Sequence, residues 1–163
     1  TEVVFACGGD IFTSAVDAAK KVEGAKVIGV DVDQTGMIAN YAAGAGADKA
    51  TVKGFKALTV TSAMKGLYPA TYNTLTDVIV NGNWSKYVGR IATLGLVSAD
   101  DPSANYVQIP MDSTQWADSF TQDDYKALVA KMLNNELTVS NDIKKAASDF
   151  STVITVDDQG TIK

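Results

Sequence analysis

Histidine is absent from the 163-residue chain, and cysteine occurs once, as Cys7. The first absence removes the commonest general base and the commonest metal ligand together. Zinc sites and histidine-dependent triads are excluded on that ground, whereas a cation held by carboxylates stays open. A lone cysteine cannot close an internal disulfide, so cysteine usage does not fix the compartment. Lying in the apolar run VVFACGG, Cys7 reads as a small core residue rather than a nucleophile.

Basic charge is also short. Lysine and arginine number 14 against 19 acids, a net charge of −5. The only adjacent basic pairs are Lys20-Lys21 and Lys144-Lys145. Nothing supplies the cationic footprint that a nucleic-acid backbone or an anionic membrane surface demands, so nucleic acid is not expected as a partner. Long hydrophobic runs are missing too, and with them any transmembrane span or signal peptide in the sequence.

What is present is a globular composition, 46% hydrophobic and 20% charged, long enough for one domain with a real core. Val3 to Ala6 reads as an apolar strand ending at Gly8-Gly9, with Asp10 as a helix N-cap. A helix from Phe12 to Val22 follows, carried by Val16, Ala19 and Val22, and Gly24 stops it. Lys26 to Val30 is apolar after its lysine, as a parallel strand covered on both faces should be. Strand, glycine turn, helix and strand make a βαβ unit.

Further on, Thr35 to Lys53 reads as a Gly/Ala-rich loop or broken helix. Leu58 to Thr61 predicts a short strand, and Ser62 to Val80 a helix with Pro69 inside it. A strand over Ile91 to Val97, a turn-rich SADDPSAN loop and a brief extended piece at Val107 to Pro110 come next. Thr121 caps an amphipathic helix, a shorter helix covers Ile143 to Phe150, and a hairpin around DDQG pairs Val153–Val156 with Thr161-Ile162. The fold class expected is α/β, a Rossmann-like parallel sheet flanked by helices.

In open parallel sheets, ligands sit beyond the carboxyl ends of the strands. Three stretches fall there: Gly8-Gly9-Asp10-Ile11-Phe12, Asp31-Val32-Asp33-Gln34 and Thr61-Ser62-Ala63-Met64-Lys65. The first lacks both the G-x-G-x-x-G and the G-K-[ST] patterns, and Asp10 would repel a phosphate. It leaves a glycine turn at Gly9 that lets backbone approach a ligand, with Phe12 either stacking on that ligand or serving the core. Strand alternation puts Asp31 and Asp33 on one side. Such a pair can work as acid and base, hold a divalent cation, accept hydrogen bonds from vicinal hydroxyls, or divide into a helix cap and a solvated acid. No electrophile motif accompanies the first option, and DVDQTGMIANY lacks the terminal acid of a calcium loop. The hydroxyl option asks for least, since one carboxylate accepts two charge-assisted bonds. Lys65, one turn into its expected helix, offers donors to a hydroxyl or neutralises Asp31.

The segments VVFACGGDIFTSAVDAAKK, KVIGVDVDQ and VTSAMKGLYPATYNTL, with WADSFTQDDYKALVAKMLNNELTVSND later, resemble the C-terminal portion of the basic membrane protein (Bmp) family. These are substrate-binding lipoproteins of ABC importers, similar to the purine nucleoside receptors. The resemblance implies a type I periplasmic-binding-protein architecture of two lobes with the ligand clamped between them, and an N-terminal lobe lying upstream of Thr1. On that basis residues 1–60 form the ligand-binding core of the C-terminal lobe, 61–118 pack with the absent lobe, and 119–163 supply terminal helices and strands. It further implies a nucleoside ligand, an ABC permease as partner, no cofactor, no catalysis, and an extracytoplasmic lipoprotein anchored to the membrane. By position, Asp31 becomes the ribose acid, Lys65 its cationic partner, Phe12 the stacking ring and Gly9 the close-approach glycine, with Asp33 and Gln34 supporting the loop. Two other classes stay open: a flavodoxin- or Rossmann-like enzyme using Asp31 or Asp33 as base, and the effector lobe of a transcription regulator.

Overall fold

The computed structural model describes residues 2–150 and 153–160. The chain is α/β, built on a four-stranded sheet in the order β1-β2-β3-β4. Strands β1 (Val3–Phe5), β2 (Lys26–Asp31) and β3 (Thr59–Lys65) are parallel, whereas β4 (Val107–Gln108) runs antiparallel to β3. The sheet is therefore mixed rather than parallel throughout, and it remains compatible with a Rossmann-like fold.

Two right-handed crossovers stepping in one direction place their helices on one face of a sheet. Accordingly α1 (Phe12–Ala19) and α2 (Thr35–Ala43) share a single core with the strands, in which Val4 and Val27 meet Phe12, Val16, Ile38 and Ala42. Val16, Val27 and Ile38 are wholly buried, and each contributes about 1.5–3 kcal/mol through its removal from water. The strand order never reverses, so the described strands make no switch-point crevice of the doubly wound kind. Any site must use the carboxyl edge itself and whatever loops lie beside it.

Several local expectations are resolved or corrected. The Gly/Ala-rich stretch after Gln34 takes the broken-helix form of the two expected, as α2 and α3 (Lys49–Phe55). Ile38, Ala39 and Ala42 give α2 a buried face. Gly44 and Gly46 turn the chain at positive φ, and Asp48 caps α3 by accepting the Thr51 N–H at 2.8 Å. Asp10 caps nothing with its side chain; it lies in a 3-10 turn, and its carbonyl accepts the Thr13 hydroxyl. Cys7 is exposed, not buried, because β1 ends at Phe5 and the chain has already left the sheet.

The expected helix over Ser62–Val80 begins later. Ser62 to Lys65 complete β3, held by the ladder to β2 through Asp31 and Met64. Helix α4 (Leu67–Leu75) follows, with a five-residue π-helical turn at Thr76–Val80. Pro69 then stands in the first turn, where its missing N–H is one that would lack an intrahelical partner anyway. The strand expected over Ile91–Val97 does not form. The outer edge of β3 is taken by β4 and by the Gln115 N–H, which donates to the Val60 carbonyl at 2.7 Å. Asn105, fully buried, anchors the loop beyond: its amide oxygen accepts the Val97 and Ser98 N–H groups at 2.6 and 2.8 Å.

Helix α5 (Gln122–Leu133) is as expected, with a full capping box between Thr121 and Asp124. Ile143–Phe150 is not a helix beyond a 3-10 turn at Ala147–Phe150, since these side chains face solvent and have no surface to pack on. Val153–Val156 is irregular, and Thr161-Ile162 of the expected hairpin lies outside the described residues. Among the described residues no helix is long and apolar enough to cross a membrane.

Candidate functional site

The carboxyl edge of the sheet brings together the ends of two neighbouring parallel strands. Asp31 closes β2 and Lys65 closes β3, with the Lys65 Nζ 2.7 Å from the Asp31 Oδ1. Lys65 is therefore fixed by a strand end, not by a helix as its local sequence suggests. The two side chains stay accessible, 70% for Lys65 and 40% for Asp31. The hydrogen bond that Lys65 donates to Asp31, followed by the negative charge of that carboxylate, raises the Lys65 pKa above the ordinary lysine value, and Cys7 adds a smaller effect of the same sign. The lysine stays cationic throughout the neutral range. Among the described residues the second oxygen of Asp31 accepts no protein hydrogen bond, which leaves it open to a ligand donor.

Asp31 has a backbone φ of 68°, in the left-handed region. That turn ends the strand pleat, so Asp31 and Asp33 do not share a side as alternation predicts. Asp33 instead accepts the Thr35 N–H at 3.0 Å and the Ser113 hydroxyl at 2.7 Å. Partial burial pushes its pKa up, but the bonds from Ser113 and Thr35, with the Lys56 charge, outweigh this and leave it lowered. Asp33 ties the start of α2 to the loop after β4, and Gln34 folds back so that its side-chain oxygen accepts the Val30 N–H at 3.0 Å. Both residues hold the loop, leaving Asp31 as the acid with an open oxygen.

A non-glycine residue at positive φ stores strain on the order of 1 kcal/mol. Asp31→Gly should therefore hold or raise stability, by up to about 0.5–1 kcal/mol, although it deletes the acid. Asp31→Ala should lower it by roughly 1 kcal/mol, because alanine is less tolerant of this region than aspartate and loses the contact with Lys65. Urea denaturation of the three proteins measures this. Equal midpoints would mean that the turn is unstrained.

Phe12 is only 5% exposed, packed edge-on to Tyr41 at 6.0 Å between α1 and α2. The stacking role expected for it is corrected: its ring is spent on the core. Gly9 lies in an exposed 3-10 turn where an added Cβ would meet nothing within 4 Å, so no close approach to protein demands glycine there. The demanding glycines are Gly29 and Gly66, which the sequence reading passed over.

Beside Lys65 a cleft of about 570 Å³ opens between β3, α4 and the loop before β4. Val32, Lys65, Tyr68, Asn73, Asp101 and Gln108 are among its lining residues. A second groove, about 630 Å³, runs along α5 past Leu128, Met132 and Val139, and no charged side chain lines it. The first is the better candidate, since it alone adjoins the ion pair. Among the described residues no set of three or more histidine, cysteine, aspartate or glutamate side chains gathers as a metal site. No protein-family model, curated protein or solved structure matches the chain. The geometry at this edge therefore carries the functional reading.

Tyr68 is the cleft residue that sequence reasoning missed. Its signal was the spacing K-G-L-Y-P-A-T-Y, which sets Tyr68 and Tyr72 one helical turn apart just after Lys65.

Proposed function

We propose that the chain is a ligand-binding lobe of the type I periplasmic-binding-protein kind. In the whole protein it would serve a membrane-anchored, extracytoplasmic substrate-binding lipoprotein of an ABC importer. It takes a nucleoside, or another sugar-bearing small molecule, between two lobes and hands it to a permease without chemical change. The observation that carries this reading is the accessible Asp31–Lys65 pair, 2.7 Å apart where two parallel strands end. A carboxylate with an open oxygen beside an ammonium group suits two adjacent hydroxyls: the acid accepts from one or both, and the lysine donates to a neighbouring oxygen. Apolar side chains exposed between Leu67 and Val97, among them Ile79, Trp84 and Ile91, supply a surface on which a second lobe could close. With that lobe apart the ligand is held from one side, so affinity for this chain falls in the millimolar range.

The test is a titration by NMR with adenosine, guanosine and inosine, comparing the chain with its Asp31→Asn variant. The variant keeps the size and backbone preference of aspartate but replaces a charged acceptor with a neutral amide. Affinity should fall roughly ten- to hundredfold, and the nucleosides should be recovered intact from both proteins. Unchanged affinity in Asp31→Asn would defeat the hydroxyl-binding reading, and turnover lost in the variant would favour an enzyme instead. The engagement of both Asp33 oxygens by Thr35 and Ser113 counts against Asp33 as a catalytic base.

A further inference from the structure

We infer that the recess lined by Lys49, Lys53 and Lys56 binds a phosphate-bearing anion that presents two or more phosphate groups. The recess lies apart from the cleft beside Lys65, shares no lining residue with it and does not depend on the reading above. Its volume is about 380 Å³, and Asn40, Ala47 and Val52 complete the lining. No acid lines it, although acids outnumber bases in the chain by 19 to 14. Among the described residues the ion pairs are Lys65–Asp31 and Lys86–Asp77, so the three ammonium groups have no carboxylate in contact.

Helical spacing builds this cluster from positions that look scattered in the sequence. Lys49 and Lys53 stand one turn apart on α3, and Lys56 opens the 3-10 turn that follows (Lys56–Leu58). At about 1.5 Å per residue the row spans roughly 10 Å, a length that two or three linked phosphates match. The arrangement costs α3 stability, since like charges one turn apart repel. The helix buries no residue, so packing does not ask for lysine at these positions. A bound anion relieves the repulsion, and ammonium groups on flexible stems meet phosphate oxygens without a fixed direction of approach. Lys20 adds positive charge against the same two helices, its Nζ 2.7 Å from the Ala42 carbonyl and 5.6 Å from the Phe55 ring centre. The nearest acids are engaged: Asp48 accepts the Thr51 N–H, and Asp33 the Thr35 N–H and the Ser113 hydroxyl. Lys56 shares an adjoining recess with Asp33 and Asp112, so Lys53, between the other two lysines, carries the largest share. A soluble oligophosphate and the headgroups of an anionic lipid layer offer the same chemistry, and the test separates them.

The experiment titrates tripolyphosphate, pyrophosphate and, as a simple dianion, sulfate into the chain and into its Lys53→Gln and Lys49→Gln/Lys53→Gln variants. Lys126→Gln on α5 is the charge-matched control, and amide NMR shifts report binding. Tripolyphosphate should bind more tightly than pyrophosphate and both more tightly than sulfate, with shifts centred on Asn40 and residues 47–56. Lys53→Gln should weaken tripolyphosphate about fivefold and the double variant further, while Lys126→Gln changes nothing. Affinity should fall as salt rises. Equal affinity in the parent and Lys53→Gln, or shifts spread over lysines throughout the chain, would overturn the inference. So would the absence of binding by either oligophosphate at roughly 10 mM, unless the vesicle arm is positive. That arm sediments the chain with phosphatidylglycerol or phosphatidylcholine vesicles. Retention that needs phosphatidylglycerol and is lost in Lys53→Gln assigns the recess to lipid headgroups. Tripolyphosphate binding with no retention on either vesicle assigns it to a soluble anion. Retention that Lys53→Gln leaves unchanged, without oligophosphate binding, would overturn the recess as a phosphate site. None of these outcomes bears on Asp31, whose nucleoside titration stands separately.

Discussion

Gly66→Ala is expected to lower the stability of the chain by about 3 kcal/mol and to loosen the cleft with it. A Cβ at this position would clash with the Asn105 carbonyl oxygen and lie 2.8 Å from the Tyr106 Cα and 3.0 Å from the Pro69 Cγ. The first two are backbone atoms, so no rotamer change relieves them. The segment carrying Tyr106, just before β4, must move, and the bond from the Gly66 N–H to the Tyr106 carbonyl, 2.8 Å long, moves with it. Asn105 cannot yield cheaply, because it is wholly buried and also donates to the Ser98 carbonyl at 2.8 Å. Displacement there breaks contacts on the loop before β4, one wall of the cleft beside Lys65. The control is Gly36→Ala on α2, where an added Cβ meets nothing within 4 Å. That change should raise stability by about 0.5 kcal/mol, since alanine is the better helix former. Urea denaturation of both variants gives opposite signs if this close packing is right. A Gly66→Ala midpoint equal to the parent's would mean that the loop can retreat at no cost.

The parts legible in the sequence are those where local preference and tertiary demand agree. β2 is an unbroken apolar run, and it is a covered central strand. α5 announces itself through Thr121, Asp124 and its apolar stripe, and the capping box is present. Asp31 was picked out by its place at the end of β2, and it does meet Lys65. The end of β3 was not legible. Ser62, Ala63 and Met64 lack β-branched side chains and favour a helix locally, yet ladder bonds to Gly29, Val30 and Asp31 hold them in the sheet. Phe12 could not be assigned either, because spacing does not tell a core ring from a ligand ring. Its partner Tyr41 comes from a stretch whose sequence allows either a loop or a broken helix. The exposed run at Ile91 carries β-branched side chains and reads as a strand for the converse reason, but the outer edge of β3 is taken by β4 and the Gln115 N–H.

Gly29→Ala is expected to cost about 2 kcal/mol and, on the proposed reading, to weaken nucleoside binding through the loop that carries Asp31. A Cβ on Gly29 would stand 2.5 Å from the Ser62 Oγ, 2.9 Å from the Gln34 Cβ and 3.1 Å from the Gln34 Oε1. These three atoms belong to the clasp that shapes the loop after β2. The Gln34 N–H donates to the Ser62 hydroxyl at 3.1 Å, and the Gln34 side-chain oxygen accepts the Val30 N–H at 3.0 Å. All of it is buried, so each bond that opens leaves a polar group without water. Opening the clasp shifts the residues on either side of Asp31 and removes the support for its left-handed turn. The Gly29→Ala/Ser62→Ala double variant separates the cause from the consequence. With the Ser62 hydroxyl gone the shortest contact is gone, and the double variant should be about 1 kcal/mol more stable than the two single losses summed. Strict additivity would place the damage elsewhere than at the Ser62 hydroxyl. On the proposed reading, adenosine affinity should follow the same pattern, reduced in Gly29→Ala and partly restored in the double variant, because the clasp sets the position of the Asp31 carboxylate.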